Sequence, residues 1–134
     1  MTVRLASCCC GQLRAEVLGE PISVSVCYCY ACQRRTGSVF GAQACFARGS
    51  VTVRGNGTEF VRVGDEGARF TFTFCPKCGS TVFYVDEGDE QHSAIPVGVF
   101  ADARFPPPTV SVYEERRHSW VSLPDDIDVH RRNP

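Results

Sequence analysis

Arg69-Phe70-Thr71-Phe72-Thr73-Phe74 runs directly into Cys75-Pro76-Lys77-Cys78-Gly79. The first six residues alternate polar and aromatic side chains, the period-two pattern of a half-buried strand. The next five place two thiols around a tight knuckle, and Gly79 can take the positive φ that such a turn needs. A strand that delivers a pair of thiols points to a small β domain stapled by metal. A redox CxxC is the alternative for Cys75 and Cys78. That motif opens a helix in a βαβ setting, whereas strands are expected on both sides here.

The same pattern extends outward in both directions. Residues 2–18 read as a hairpin: Val3, Leu5 and Ser7 alternate on one arm, Leu13, Ala15 and Val17 on the other, with cysteines at the turn. Ile22 to Cys27 is an alternating strand. Tyr30 to Arg35 is the one place for a helical turn, stopped by Thr36-Gly37-Ser38. Strands are expected over Val39–Phe46, Val51–Val53, Glu59–Val63, Thr81–Val85, Ser93–Phe100 and Val110–Tyr113. Asp102 to Pro108 reads as a loop, and Trp120 to Pro134 as a polar tail. No amphipathic helix of 10–15 residues is evident. Many short strands with glycine turns predict a mostly β fold, one domain over residues 1–134 with its core at about 3–125.

The chain has 134 residues, 22% charged, with a formal net charge of −1. That balance leaves no electrostatic footprint for nucleic acid or anionic membrane. The arginine pairs Arg34-Arg35, Arg116-Arg117 and Arg131-Arg132 are scattered, as on a solvated surface. No apolar run is long enough to span a bilayer, and the first residues lack a signal-peptide pattern. A cytoplasmic, reducing location is therefore expected, where disulfides are disfavoured. Nine cysteines in such a chain, an odd number, are better explained by metal than by complete pairing.

Two clusters are two-thiol chelates. In Cys8-Cys9-Cys10-Gly11, residues i and i+2 of an extended chain share a face, so Cys8 and Cys10 can hold one metal while Cys9 points away as a free thiol. With Cys75 and Cys78 they make a four-thiolate tetrahedron, a closed structural zinc site. A chance cluster of small apolar residues is the alternative for Cys8 and Cys10. The third cluster, Cys27-Tyr28-Cys29-Tyr30-Ala31-Cys32, supplies three local sulfurs and no fourth. A zinc held by three thiolates keeps a position open, which suits a substrate thiol. Two alternatives stand beside this: Cys45 closes the site as fourth ligand, or the three thiols carry no metal. His92, His118 and His130 lack a second ligand at metal spacing.

Ser7-Cys8-Cys9-Cys10-Gly11, Cys27-x-Cys29-x-x-Cys32-Gln33-Arg34 and Phe74-Cys75-x-x-Cys78-Gly79-Ser80, in that order, resemble the glutathione-dependent formaldehyde-activating enzyme family, whose domain is shared with centromere protein V. Thr36-Gly37 and the Trp120…Leu123-Pro124 tail agree with it. The resemblance implies a β-tent-like zinc fold. It implies a structural zinc at Cys8, Cys10, Cys75 and Cys78, and a catalytic zinc at Cys27, Cys29 and Cys32, so two zinc ions per chain. It also implies a carbon–sulfur lyase, S-(hydroxymethyl)glutathione synthase-like, that condenses glutathione with formaldehyde or another small aldehyde. Arg34 and Arg35 either attract a carboxylate of that thiol or are solvated. The second functional reading is a non-catalytic, zinc-stabilised module acting through a protein partner. An exposed sheet edge makes a homodimer plausible.

Overall fold

The structure, a computed structural model, describes residues 2–129, so His130 and Arg131-Arg132 lie outside the described residues. The chain is mostly β, as its alternation predicts. It divides into two compact units, each assembled from two separate stretches of sequence. Among the described residues, the first comprises 2–22 and 44–105, the second 23–43 and 106–129.

In the first unit, β1 (Val3–Ser7) and β2 (Arg14–Leu18) form the expected antiparallel hairpin, in register from Val3 opposite Leu18 to Ser7 opposite Arg14. The strand before the second unit's helix, β3 (Ser23–Cys27), and the strand after it, β4 (Gly41–Ala47), follow in sequence. Next, β5 (Val51–Arg54) pairs antiparallel with β2. The strands β6 (Thr58–Val63), β7 (Arg69–Phe74) and β8 (Thr81–Asp86) form an antiparallel meander, and β9 (His92–Pro96) pairs with β8. The register of β7 on β8 shifts between Thr73 and Phe74, immediately before Cys75. This irregularity ends the ladder and turns the chain into the knuckle. Ala6, Leu13, Ala15, Val17, Phe46, Val82 and Ile95 are sealed from solvent and form the core. Phe100 stacks on Phe105 with ring centroids 4.7 Å apart.

In the second unit, β10 (Val110–Val112) lies parallel to β3, with Val112 opposite Cys27. The short β11 (Asp128–Val129) adds to β10, also in parallel. The helix α1 (Tyr30–Thr36) stands where the helical turn was expected and ends on Gly37 in the left-handed region. Its buried surroundings are Val26, Tyr28, Val112, Tyr113 and Val121.

Three expectations are corrected. Ser93 to Phe100 is not one strand: β9 stops at Pro96, and Val97–Phe100 forms a 3-10 turn ended by Ala101 at φ 49. Pro96 has no N–H to continue the ladder, and Gly98 packs no side chain, so apolar composition alone misled. Ser38 to Phe40 precede β4 rather than starting it. The polar tail is not featureless: Val121 is buried, Leu123 and Ile127 pack on the second unit's core, and β11 closes it.

Candidate metal centres

Cys8, Cys10, Cys75 and Cys78 come together, with all four sulfurs within 4.8 Å of one another. Cys8 follows β1 and starts a turn in which Gly11 N–H donates to Cys8 O at 3.1 Å. Cys75 follows β7 and starts a second turn, closed by Gly79 N–H donating to Cys75 O at 2.8 Å. Gly79 takes φ 81, the conformation its knuckle was expected to need. The hairpin and the meander thus each deliver two thiols to one point.

The sulfurs are supported by donors. Leu13 N–H points to Cys8 Sγ at 3.3 Å and Lys77 N–H to Cys75 Sγ at 3.4 Å. Gln12 Nε2 donates to Cys75 Sγ at 3.0 Å, and Ser80 Oγ lies 3.5 Å from Cys78 Sγ. The Ser80 contacts hold the Cys78 thiol down at about 5, whereas the Cys10 thiol stands at about 11. At Cys10 the hydrogen bond from Gln12 is outweighed by burial and by the neighbouring thiols. For Cys75, burial is outweighed by the Gln12 and backbone donors, and its thiol is lowered. Hydrogen bonds to sulfur of this kind favour thiolate over thiol and orient metal ligands.

Geometry and donor chemistry both fit a tetrahedral metal. Four thiolates around zinc at about 2.3 Å stand ~3.8 Å apart. The Cys8–Cys10 and Cys10–Cys75 sulfur separations are each 3.6 Å. Cys9 is exposed and belongs to neither group; its N–H donates to Ser80 Oγ at 3.2 Å.

Cys27, Cys29 and Cys32 form the second group, all three buried and their sulfurs also within 4.8 Å of one another. Cys27 ends β3, Cys29 caps α1, and Cys32 lies in the helix's first turn. Cys29 is extended, with φ −61 and ψ 151, and its Sγ accepts from Cys32 N–H at 3.3 Å. That contact wraps the helix start around the sulfurs. The connecting backbone is pinned on both sides. Tyr28 N–H donates to Val112 O at 3.1 Å, and Gln33 Nε2 to Tyr28 O at 2.8 Å.

Contact with the Cys29 and Cys32 thiols, followed by burial, pushes the Cys27 thiol far up. The Cys32 thiol is also raised. Its contact with Cys27 and the charge of Arg35 work downward, but Cys29 and burial prevail. Three buried thiols crowded together thus resist ionising alone, and a divalent cation is the species that would displace their protons. Among the described residues this group has three members. Cys45 lies on β4 in the first unit, half-buried, with its carbonyl accepting from Ile22 N–H at 2.7 Å, and it joins neither sulfur group.

The histidines stand apart from both groups. His92 Nδ1 pairs with Asp89 Oδ2 at 2.8 Å, and His118 meets Trp120 edge-on. Sequence reading missed Gln12, and it quoted Ser80 at the end of the Cys75 motif without giving it a role. Ser80 was legible only as a neighbour of Cys78, and nothing in the sequence marked Gln12.

A mostly β chain that gathers seven cysteines into a four-sulfur and a three-sulfur group can hold two metal ions. The sequence signature described as glutathione-dependent formaldehyde-activating enzyme matches residues 3–116, and the chain belongs to that family. Among solved structures it is similar to a Rhodobacter sphaeroides protein determined in a structural-genomics programme. The two share 23% identity at a TM-score of 0.54, over 71% of this chain and 85% of that one. That likeness supports the fold. No curated protein matches the chain.

Proposed function

We propose that this protein is a zinc-dependent carbon–sulfur lyase of the formaldehyde-activating type. It would join the thiol of glutathione to formaldehyde or another small aldehyde. The observation that carries the reading is the contrast between the two groups: four sulfurs around one point, three around the other. Cys8, Cys10, Cys75 and Cys78 fill a tetrahedral zinc, as a structural site does. Cys27, Cys29 and Cys32 leave one position for a ligand. A zinc there supplies Lewis acidity that holds an incoming thiol sulfur as its nucleophilic thiolate.

The chain's own residues do the rest. Cys29 and Cys32 are locked together by the N–H···S contact at the start of α1, so the sulfurs are preorganised. Val26, Val112 and Val121 share one buried cluster with the three cysteines, an apolar setting that would limit water around the reacting sulfur. In the reaction the sulfur forms a bond to the aldehyde carbon while the carbon–oxygen π bond breaks. The proton lost by the thiol is matched by one gained at that oxygen, giving the S-hydroxymethyl product.

Magnetisation-exchange NMR of formaldehyde with glutathione, with and without zinc-loaded protein, tests this. Exchange faster than the spontaneous reaction, abolished in Cys29→Ser, is expected. Equal rates with and without protein sink the assignment. A single metal per chain, released only on unfolding, would favour the non-catalytic module instead.

A further inference from the structure

Two guanidinium groups lie on the elements that build the three-cysteine centre: Arg35 beside Cys32, and Arg116 over the rings of Tyr30 and Tyr113. Arg35 lies in the last turn of α1, and its head reaches back beside Cys32. A Cβ placed on Gly41 would meet Arg35 Nη2 at 3.2 Å and Cys32 Cβ at 3.4 Å. The missing side chain at Gly41 is what lets the guanidinium lie across β4 at that point. Its neighbour Arg34 is simply exposed.

Arg116 is held differently. Its guanidinium carbon lies 4.5 Å from the Tyr30 ring centroid and 5.0 Å from that of Tyr113. Tyr30 directly follows Cys29. Tyr113 directly follows Val112, the register partner of Cys27. Tyr113 sits at φ 56, a left-handed conformation that a non-glycine residue adopts only when its surroundings impose it. Arg117, the next residue, is engaged by Glu114 and by Val121 O. Arg116, by contrast, has no carboxylate within ion-pair reach among the described residues.

Charge balance gives these cations a task. Three thiolates and a divalent ion sum to one negative charge, and a thiolate ligand adds another. A ligand with further carboxylates is held only where cations offset them. Guanidinium forks bind carboxylates bidentately, and rings that fix the fork reduce the entropy lost on binding. We propose that Arg35 and Arg116 bind the carboxylates of the thiol ligand, selecting a short acidic thiol peptide over neutral thiols. This rests on the thiol-binding reading of the three-cysteine centre. A tripeptide extends over roughly 10 Å, long enough to present carboxylates to different elements of the fold.

The test is calorimetric binding to the zinc-loaded full chain, with glutathione, glutathione diethyl ester and 2-mercaptoethanol as probes. The ester is expected to bind about tenfold or more weaker than glutathione, consistent with losing charge-assisted hydrogen bonds. Arg35→Met and Arg116→Met should each weaken glutathione by about tenfold and leave 2-mercaptoethanol within about twofold. Arg116→Lys should recover part of the loss. Equal affinity for glutathione and its ester overturns the pair without needing any variant to fold. So does equal weakening of glutathione and 2-mercaptoethanol in the variants, which marks a structural role alone. If the unsubstituted protein binds none of the three probes, the thiol-binding reading itself fails and takes this assignment with it.

Discussion

Gln12 shows how much one neutral side chain can organise. Its Nε2 donates to Cys75 Sγ at 3.0 Å and to Asn56 O at 2.7 Å, while its Oε1 accepts from Asn56 N–H at 3.0 Å. It therefore ties the turn before β6 to a sulfur of the four-cysteine centre. A donor to sulfur stabilises the thiolate and fixes its direction. Gln12→Leu keeps the bulk and removes every one of these bonds. The metal affinity of the four-cysteine centre should fall by about 10–100-fold, read by competition with a chromogenic chelator. An unchanged affinity would remove Gln12 from the ligand support.

At the scale of elements, the β5–β6 turn shows why a connecting turn can be specific in sequence. Gly55 has φ 99, and a Cβ there would lie 1.9 Å from Gln12 O, a backbone atom that cannot step aside. Gly55→Ala would force the turn off the β1–β2 loop and disturb the Gln12–Asn56 contacts with it. The expected cost is about 2–4 kcal/mol, a fall in Tm of more than about 8 °C in thermal unfolding. A variant melting within about 2 °C of the parent would show that the turn relaxes freely. The helix α1 makes a related point. It has only seven residues, too few to be stable alone, and it is held by Cys29 at its start, Gly37 at its end and the Gln33–Tyr28 bond beneath.

For the molecule as a whole, each sulfur group falls entirely within one compact unit: the four-cysteine group in the first, the three-cysteine group in the second. The two groups should then behave differently when metal is removed. The first joins chain segments 65 positions apart, so a metal held there would close a long loop in a small core, and its loss would open that loop. The second lies within six consecutive residues and closes no such loop. Cys8→Ser should lose one metal per chain by elemental analysis and much of the strand signal in circular dichroism. Cys29→Ser should lose the other metal and stay folded. Unfolding as severe in Cys29→Ser as in Cys8→Ser would refute this division of labour.

Local chemistry made a good part of this legible in the sequence. Period-two alternation marked β2 and β3 because one face of each is the more deeply buried, and it marked β7 although Phe72 and Thr73, on opposite faces, are both buried there. The cysteine spacings marked the knuckles and the three-thiol cluster because ligands so close in sequence have few ways to be arranged. Tyr30 to Arg35 read as a helical turn because Thr36-Gly37-Ser38 stops it, and the helix found there runs to Thr36. Tertiary packing decided what no local pattern encodes. It brought Cys10 to 3.6 Å from Cys75, set Gln12 on a sulfur, laid Arg35 over Gly41 and set Arg116 on the rings of Tyr30 and Tyr113. It also broke the apolar run after Ser93 at Pro96 and recruited Val121 from a polar tail. These contacts depend on which strand lies beside which, and that follows from burying the most apolar surface across the whole chain rather than from the preferences of any one segment.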